Sequence, residues 1–280
     1  LKTSSTRQSS ARLRPVQSRQ NSTIKALRKA FSVGDLTEEG YCAIESFKLA
    51  NEAIKSGLEF RAIIFSDSAA ESRAAKELLE QVPSNVEALV VPDDVFRSAV
   101  DTESPQGVAA LVSPREYKLQ DFVKPASLLV VTAGIQDPGN LGTIIRSAEA
   151  FGASGAILGE HTVSRFNAKA LRASAGSLFR VPCVASNLSD AMTELRKNKF
   201  RLVGTSSHEG VRLDQARLTG GVALFIGSEG SGLAPSVIKQ MDELVTIPHS
   251  SQLESLNAGV AASILLYEAA RQRNKAGASA

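Results

Sequence analysis

Three short clusters in the C-terminal half of the chain combine residue types that a ligand site needs. Gly227-Ser228-Glu229-Gly230-Ser231-Gly232 places three glycines around one carboxylate, and glycine lets a backbone take positive φ and come close to a bound molecule. His249-Ser250-Ser251-Gln252 leads into Ser255-Leu256-Asn257, hydroxyl and amide groups just ahead of an apolar run. Gly134-Ile135-Gln136-Asp137-Pro138-Gly139-Asn140 is followed by Arg146. Taken singly, the first cluster is a turn, Ser255 and Asn257 are helix caps, and Arg146 is a solvated cation. The shared layout of the three points instead to one ligand site.

The elements around them explain why. Val222-Ala223-Leu224-Phe225-Ile226 is short, apolar and flanked by glycine, and reads as a buried strand. Leu244-Val245-Thr246-Ile247 is a second strand, stopped by Pro248, which cannot donate to a ladder. After Asn257, Val260, Ala261, Ile264, Leu265 and Glu268 recur at helical spacing. Leu128-Leu129-Val130-Val131-Thr132 is a third strand. The helix after it is expected to be capped by Asn140, to bury Leu141, Ile144, Ile145 and Ala148, and to end at Gly152. Arg146 falls on the far side, about 140° round from Leu141. Strands that deliver polar loops at their ends are where open α/β sheets bind ligands.

Asp137-Pro138-Gly139-Asn140-Leu141-Gly142 with Arg146, Ile226-Gly227-Ser228-Glu229-Gly230, and Ile247-Pro248 with Ser255-Leu256-Asn257 together resemble the three motifs of the SpoU (TrmH) RNA methyltransferases, of the SPOUT class. The resemblance implies an α/β fold: a C-terminal, mostly parallel sheet tied in a trefoil knot, a rare exception to the rule against knots. It implies S-adenosylmethionine as methyl donor, held near Gly204, Thr205, Ile226, Gly227, Gly230, Ile247, Leu256 and Ala258. The nucleophile it implies is a ribose 2′-hydroxyl. Arg146 matches the family's essential arginine, which has been cast as a general base; a guanidinium effectively never deprotonates in a protein, so a charged role in orienting ribose or phosphate and stabilising alkoxide is preferred. Asn140, Glu229, Ser255 and Asn257 match the remaining motif polar groups and are assigned to orienting Arg146, the substrate and the loops. A homodimer through the knotted domain is also implied.

The chain has 280 residues, 43% of them hydrophobic, enough for two domains. No apolar run is long enough to span a membrane. Cys42 and Cys183 lie far apart and read as small core residues of a reducing compartment. His161, His208 and His249 are scattered, so no metal is expected. The formal net charge is +3, but Lys2, Arg7, Arg12, Arg14, Arg19, Lys25, Arg28 and Lys29 all precede the first acid, Asp35. Such an arm suits phosphate contact, a solvated tail or an organellar transit segment; a basic disordered tail over residues 1–15 and a cytoplasmic protein are expected, with an organelle as the alternative.

Residues 16–112 read as a small layered α/β unit without a catalytic cluster. Expected there are a helix with Phe47, Ala50 and Ile54 on one face and Gly57 at its end, a strand over Arg61 to Phe65, a helix from Ser68 to Glu80, and strands over Val86 to Val91 and Gly107 to Val112. The stretch resembles the L30e-like substrate-binding domain of many SpoU enzymes, except that Glu45-Ser46 stands where the family often has Glu-Gly. Residues 113–125 read as linker, 126–273 as the methyltransferase domain and 274–280 as a frayed end. Between Glu160 and Asp190 no acid occurs, while Arg165, Lys169, Arg172 and Arg180 do. This suggests a phosphate track or simply a positive helix face; Lys169 and Arg172 also match a basic segment that family members present to RNA.

Two rival classes are weighed. A nucleotide-dependent oxidoreductase is disfavoured because Gly139-Asn140-Leu141-Gly142 is not the dinucleotide fingerprint. A non-catalytic RNA-binding protein would not need Arg146, Glu229 and Asn257 together. Ribosomal and transfer RNA enzymes share these motifs; the additional N-terminal domain tips the expectation toward ribosomal RNA.

Overall fold

The computed structural model describes residues 12–250, 252 and 254–277. Two compact units divide it: Leu1–Arg115 with Phe166–Phe179, and Glu116–Arg165 with Arg180–Ala280.

The first unit carries β1 (Arg14–Pro15), α1 (Ser22–Val33), β2 (Cys42–Glu45), α2 (Phe47–Lys55), β3 (Glu59–Ser66), α3 (Arg73–Gln81), β4 (Glu87–Val91) and β5 (Val108–Ser113). Its sheet has the order β1-β4-β3-β5-β2, with β5 antiparallel to both neighbours and the other pairs parallel. Ile24, Leu27, Ala30 and Phe31, one stripe of α1, pack on Ala62 and Ile64 of β3, Leu89 and Val91 of β4, and Ala109 and Leu111 of β5. The i, i+2 spacing of the strand residues puts them on one face.

Several expectations for this unit change. The helix expected from Ser68 to Glu80 is broken into Asp67–Ala70 and α3, because Ser72 adopts extended backbone and its hydroxyl accepts from Ala75 N, starting a new helix. On the face of α2 the buried residues are Leu49, Ala50 and Ala53, rather than Phe47 and Ile54. Residues 12–15 are not tail: Arg12 donates to the carbonyls of Leu79 and Val82 at the end of α3, each at 2.7 Å, and Arg14–Pro15 is an edge strand on β4. Residues 1–11 lie outside the described residues. The basic arm also spends charge internally, with Arg14 on Glu87, Arg19 on Asp94 and Lys29 on Glu38. Ser46 sits at φ 98°, ψ 148°, backbone that only glycine adopts without strain.

Phe166–Phe179, expected inside the methyltransferase domain, belongs to this first unit. Its helix Ala168–Ser174 buries Ala168, Ala170 and Leu171, and Ala168 joins the core cluster beneath α1. Periodicity announces such a stripe but not the surface that covers it.

The second unit contains β6 (Leu128–Ala133), α4 (Pro138–Ala150), β7 (Gly155–Leu158), β8 (Cys183–Ala185), α5 (Leu188–Lys197), β9 (Arg201–Ser206), β10 (Val211–Arg212), β11 (Val222–Gly227), β12 (Glu243–Thr246) and α6 (Ala258–Gly277). Its seven strands run β10-β12-β9-β11-β6-β7-β8, every pair parallel. From β6 the chain steps outward through β7 and β8, then returns to the other side for the remaining strands. The order therefore reverses between β6 and β11, the position where such sheets bind ligands. The central strands β6 and β11 are buried up to Ala133, the partly exposed last residue of β6, as a sheet covered on both faces requires.

The expected linker is partly core: Phe122 and Val123 are buried with Leu129, Val131 and Ile157, and a Cβ on Gly155 would meet the Phe122 ring at 2.4 Å. At the C-terminus α6 continues through Gly277, so 274–277 are helical and not frayed; 278–280 lie outside the described residues. The buried stripe of α6 is Ala258, Ala262, Leu265, Leu266 and Ala269, whereas Val260 is 47% exposed. Helices α4 and α6 pack side by side in parallel. Their contacts advance together, a Cβ on Gly259 would touch Thr143, the Ser147 and Ser263 hydroxyls bond at 2.7 Å, and the Phe151 and Tyr267 rings meet edge to face. Steps of four on both helices are the i±4 rows that pack ridges into grooves.

Candidate active site

Three strand-end loops of the second unit converge. Asp137, not Asn140, caps α4: its carboxylate accepts from Asn140 N at 2.9 Å and Pro138 occupies the first turn. The Asn140 side chain is thereby released from capping, and at 8% exposure it lies buried in the first turn. Its amide donates to Glu229 Oε1 at 2.8 Å and its carbonyl accepts from Asn257 Nδ2 at 2.8 Å. Asn257 in turn caps α6, accepting from Val260 N at 3.1 Å. The backbone N–H groups of Gln136 and Asp137 point at Glu229 as well. One chain of side-chain hydrogen bonds thus ties the loops after β6, β11 and β12 together.

Burial pushes the Glu229 carboxyl up, but the Asn140 amide and the backbone N–H groups at Glu229, Gln136 and Asp137 outweigh it and hold the group below the usual carboxylate range. Glu229 is therefore ionised at neutral pH, with its oxygens engaged in the lattice.

Beside this chain lies a cleft of about 260 Å³. Of the residues expected to hold a cofactor, Thr205, Ile226, Gly227, Gly230, Ile247, Leu256 and Ala258 line it, as do Glu229 and Ser255. Gly204 does not. It is glycine for packing, since a Cβ there would approach Met241 and Leu244 within 3 Å. At Gly227 a Cβ would lie 2.2 Å from the Gly232 backbone, so the loop closes on itself only with glycine there. Ser228 and Gly232 exchange backbone hydrogen bonds across that closure. His249, from the polar loop after β12, and Ser206 and Ser207, from the loop after β9, also line the cleft, as their strand-end positions suggest. Leu233, Val245, Ala261 and Leu265 line it too, and nothing in their apolar pattern set them apart from core.

Arg146 is exposed on α4 and has no hydrogen-bond or ion-pair partner among the described residues. Arg165, Lys169 and Arg172 are not among the residues that line this cleft. Arg165 donates to Cys183 O at 2.8 Å. Lys169 is exposed. Arg172, half-buried in the first unit, faces Glu45, whose carboxyl is pushed up by burial and pulled back by the Thr102 hydroxyl and the Arg172 charge. Both cysteines are free and buried; burial raises the Cys183 thiol to about 12 against the pull of Arg165. Among the described residues no cluster of histidine, cysteine, aspartate or glutamate could hold a metal, and no helix is long and apolar enough to cross a membrane.

A cleft of glycine main chain and aliphatic side chains, rimmed by polar groups at the carboxyl ends of β9, β11 and β12 in an all-parallel sheet, suits a small organic cofactor. Residues 127–267 match the SpoU rRNA Methylase family and residues 21–110 the MRM3-like substrate binding domain. The 23S rRNA (guanosine(2553)-2′-O)-methyltransferase RlmP of Bacillus subtilis is 32% identical over 91% of this chain and 98% of its own. The SpoU methyltransferase AviRb of Streptomyces viridochromogenes, solved with AdoMet, superposes with a TM-score of 0.80 at 28% identity, covering 90% of this chain and 98% of that one. An AdoMet-bound rRNA methyltransferase from Sinorhizobium meliloti gives 0.79 at 29% identity over 93% and 98%. The chain belongs to the SpoU family of RNA methyltransferases, and its all-parallel sheet is that of the knotted SPOUT class.

Proposed function

We propose that this enzyme transfers the methyl group of S-adenosylmethionine to a ribose 2′-hydroxyl of ribosomal RNA. The observation that carries the reading is the hydrogen-bonded run Glu229–Asn140–Asn257 beside the cleft, which joins all three motif loops at one point. The ribosomal assignment is supported by the RlmP likeness, which extends over nearly the full length of both chains.

The cleft suits the cofactor. Ile226, Val245, Ile247 and Leu233 offer apolar contact to an adenine, and the glycine loop exposes main-chain groups to its polar edge. When bound, the sulfonium supplies an activated methyl group, so the protein contributes position and electrostatics. Asn140 and Asn257 hold the loop ends so that the reacting groups keep one geometry. Arg146 keeps its charge, grips the ribose or its phosphate, and stabilises the developing alkoxide as the hydroxyl proton passes to solvent water. Ser255, exposed at the rim of the cleft, orients the incoming substrate. The first unit holds RNA away from the reacting nucleotide; Lys169 serves that track, while Arg165 and Arg172 brace the fold around it.

The enzyme acts as a homodimer through α4 and α6. Val260 and Tyr267, 47% and 55% exposed, stand two turns apart on α6. Together with the exposed Arg146 they give an apolar face beside a cation, suited to a second copy.

The test is transfer of labelled methyl from S-adenosylmethionine to ribosomal and transfer RNA transcripts, followed by alkaline hydrolysis. A 2′-O-methyl blocks the internal attack that cleaves RNA, so label is expected in alkali-resistant dinucleotides of the ribosomal transcript. Label in a base, or in transfer RNA alone, overturns the reading. Sedimentation of a fully active monomer at micromolar protein overturns the dimer.

A further inference from the structure

Helix α6 is held at both ends, and only one end belongs to the motifs described above. At its start Asn257 is tied to Asn140, and Ala258, Ala261 and Leu265 form a wall of the cleft. At its far end two adjacent side chains grip backbone that leads into the central strands. Gln272 accepts from Leu218 N and donates to Ala216 O, both at 2.8 Å. Arg273 donates from Nη1 to Ala126 O at 2.7 Å and from Nη2 to Gly220 O. Ala126 and Gly220 are left-handed turn residues, at φ 63° and 78°, just ahead of β6 and β11. Alanine is strained in that backbone and keeps it only where the surroundings fix it.

From Ala258 to Arg273 the helix rises about 22 Å, close to the roughly 20 Å that six strand residues span. It therefore acts as a strut running from the carboxyl ends of the strands, where the cleft lies, back to their amino ends. Burial lowers the Arg273 guanidinium from its ordinary value, its Nε has no hydrogen-bond partner, and no carboxylate pairs with it among the described residues. A cation desolvated against two carbonyls is an expensive way to hold a helix end if packing alone were sufficient.

We infer that Gln272 and Arg273 are positioning residues for the methyl donor: by anchoring the far end of α6 to the turns before β6 and β11, they set where Ala258, Ala261 and Leu265 stand in the cleft. This rests on the cleft being the S-adenosylmethionine site. Arg271 provides the comparison, because its guanidinium is bonded to neither turn but to Glu268 on the same helix, a carboxylate that also accepts from Gln272 at 2.8 Å.

The experiment is calorimetric titration of S-adenosylmethionine into the wild-type protein and the Gln272→Ala, Arg273→Ala, Arg273→Lys and Arg271→Ala variants. RNA affinity without donor and thermal unfolding are measured in parallel. Donor affinity is expected to fall about fivefold to tenfold in Gln272→Ala and in Arg273→Ala, the scale of one lost hydrogen bond. Arg273→Lys recovers part of the loss and Arg271→Ala shows none; RNA affinity is unchanged throughout. If Arg273→Ala does not fold, Arg273→Lys and Gln272→Ala read the same split between donor and RNA. Unchanged donor affinity with a lowered melting point overturns the inference, as does an equal loss of donor and RNA affinity. Wild-type protein that binds no S-adenosylmethionine overturns instead the reading on which it rests.

Discussion

The two units use similar ingredients differently. Each is a sheet with helices packed on it, and each has a carboxylate near a strand end with a hydroxyl or amide donor on it: Glu45 with Thr102 in the first, Glu229 with Asn140 in the second. In the first unit that carboxylate is buried and pushed up; in the second it is exposed to the cleft and held low by amides. The number of loops that meet there separates the cases. Glu45 meets one other loop, the one that enters the reversed strand β5, whereas the loops after three parallel strands meet at Glu229, Asn140 and Asn257. Strain also sits in both units, at Ser46 in the first and at Ala126 in the second. Of these two residues, Ala126 carries a hydrogen bond from a distant helix on its carbonyl, while the Ser46 hydroxyl caps its own helix. A polar cluster becomes a site when topology makes several loops share it.

Substitutions in the second unit should therefore remove chemistry, and those in the first should move stability or RNA binding and leave donor affinity alone. Arg146→Ala is expected to lower kcat about 10²–10³-fold, from about 2.7–4 kcal/mol of lost transition-state stabilisation, with donor affinity intact by calorimetry. An Arg146→Lys enzyme whose rate climbs steeply with pH would favour proton abstraction at this position instead. Gly227→Ala forces a Cβ against the Gly232 backbone and should weaken donor binding by about tenfold or more, at the 1–3 kcal/mol scale of overpacking.

Asn140→Ala breaks the link between three loops and leaves Glu229 without its side-chain donor. A loss of about tenfold to a hundredfold in kcat/KM is expected from removing a hydrogen bond to a charged group. A variant near wild type in steady-state methylation would show that the loops hold without it. In the first unit, Ser46→Gly should raise the melting temperature by about 2–5 °C, because relief of roughly 1 kcal/mol of backbone strain exceeds the few tenths lost at the cap. Donor affinity should not change.

The smallest effect is in pH. A carboxylate whose folded value is depressed adds stability that is present above its unfolded value and lost as the pH falls through the folded one. Wild type should therefore lose a small increment of stability on acidification below the ordinary glutamate range, and Glu229→Gln should lack that increment. Parallel acid-unfolding curves for the two proteins would show otherwise.

Much of this was legible in the residues. The strands around Val222 and Leu128, the stripe Leu141, Ile144, Ile145 and Ala148, and the exposed Arg146 follow from periodicity, because burial on a regular element repeats with its geometry. Glycine at Gly227 and a cap at Asn257 were readable for similarly local reasons. Tertiary structure decided what those elements meet. Asn140 was read as a cap because its position allows it, yet Asp137 takes that role and releases Asn140 to bridge two distant loops. The apolar stripe of Ala168 and Leu171 gave no sign that it completes the first unit's core, nor did Gln272 and Arg273 look different from other polar residues at a helix end. Local patterns record which atoms leave water, whereas the partner that covers them is chosen by contacts a hundred residues away.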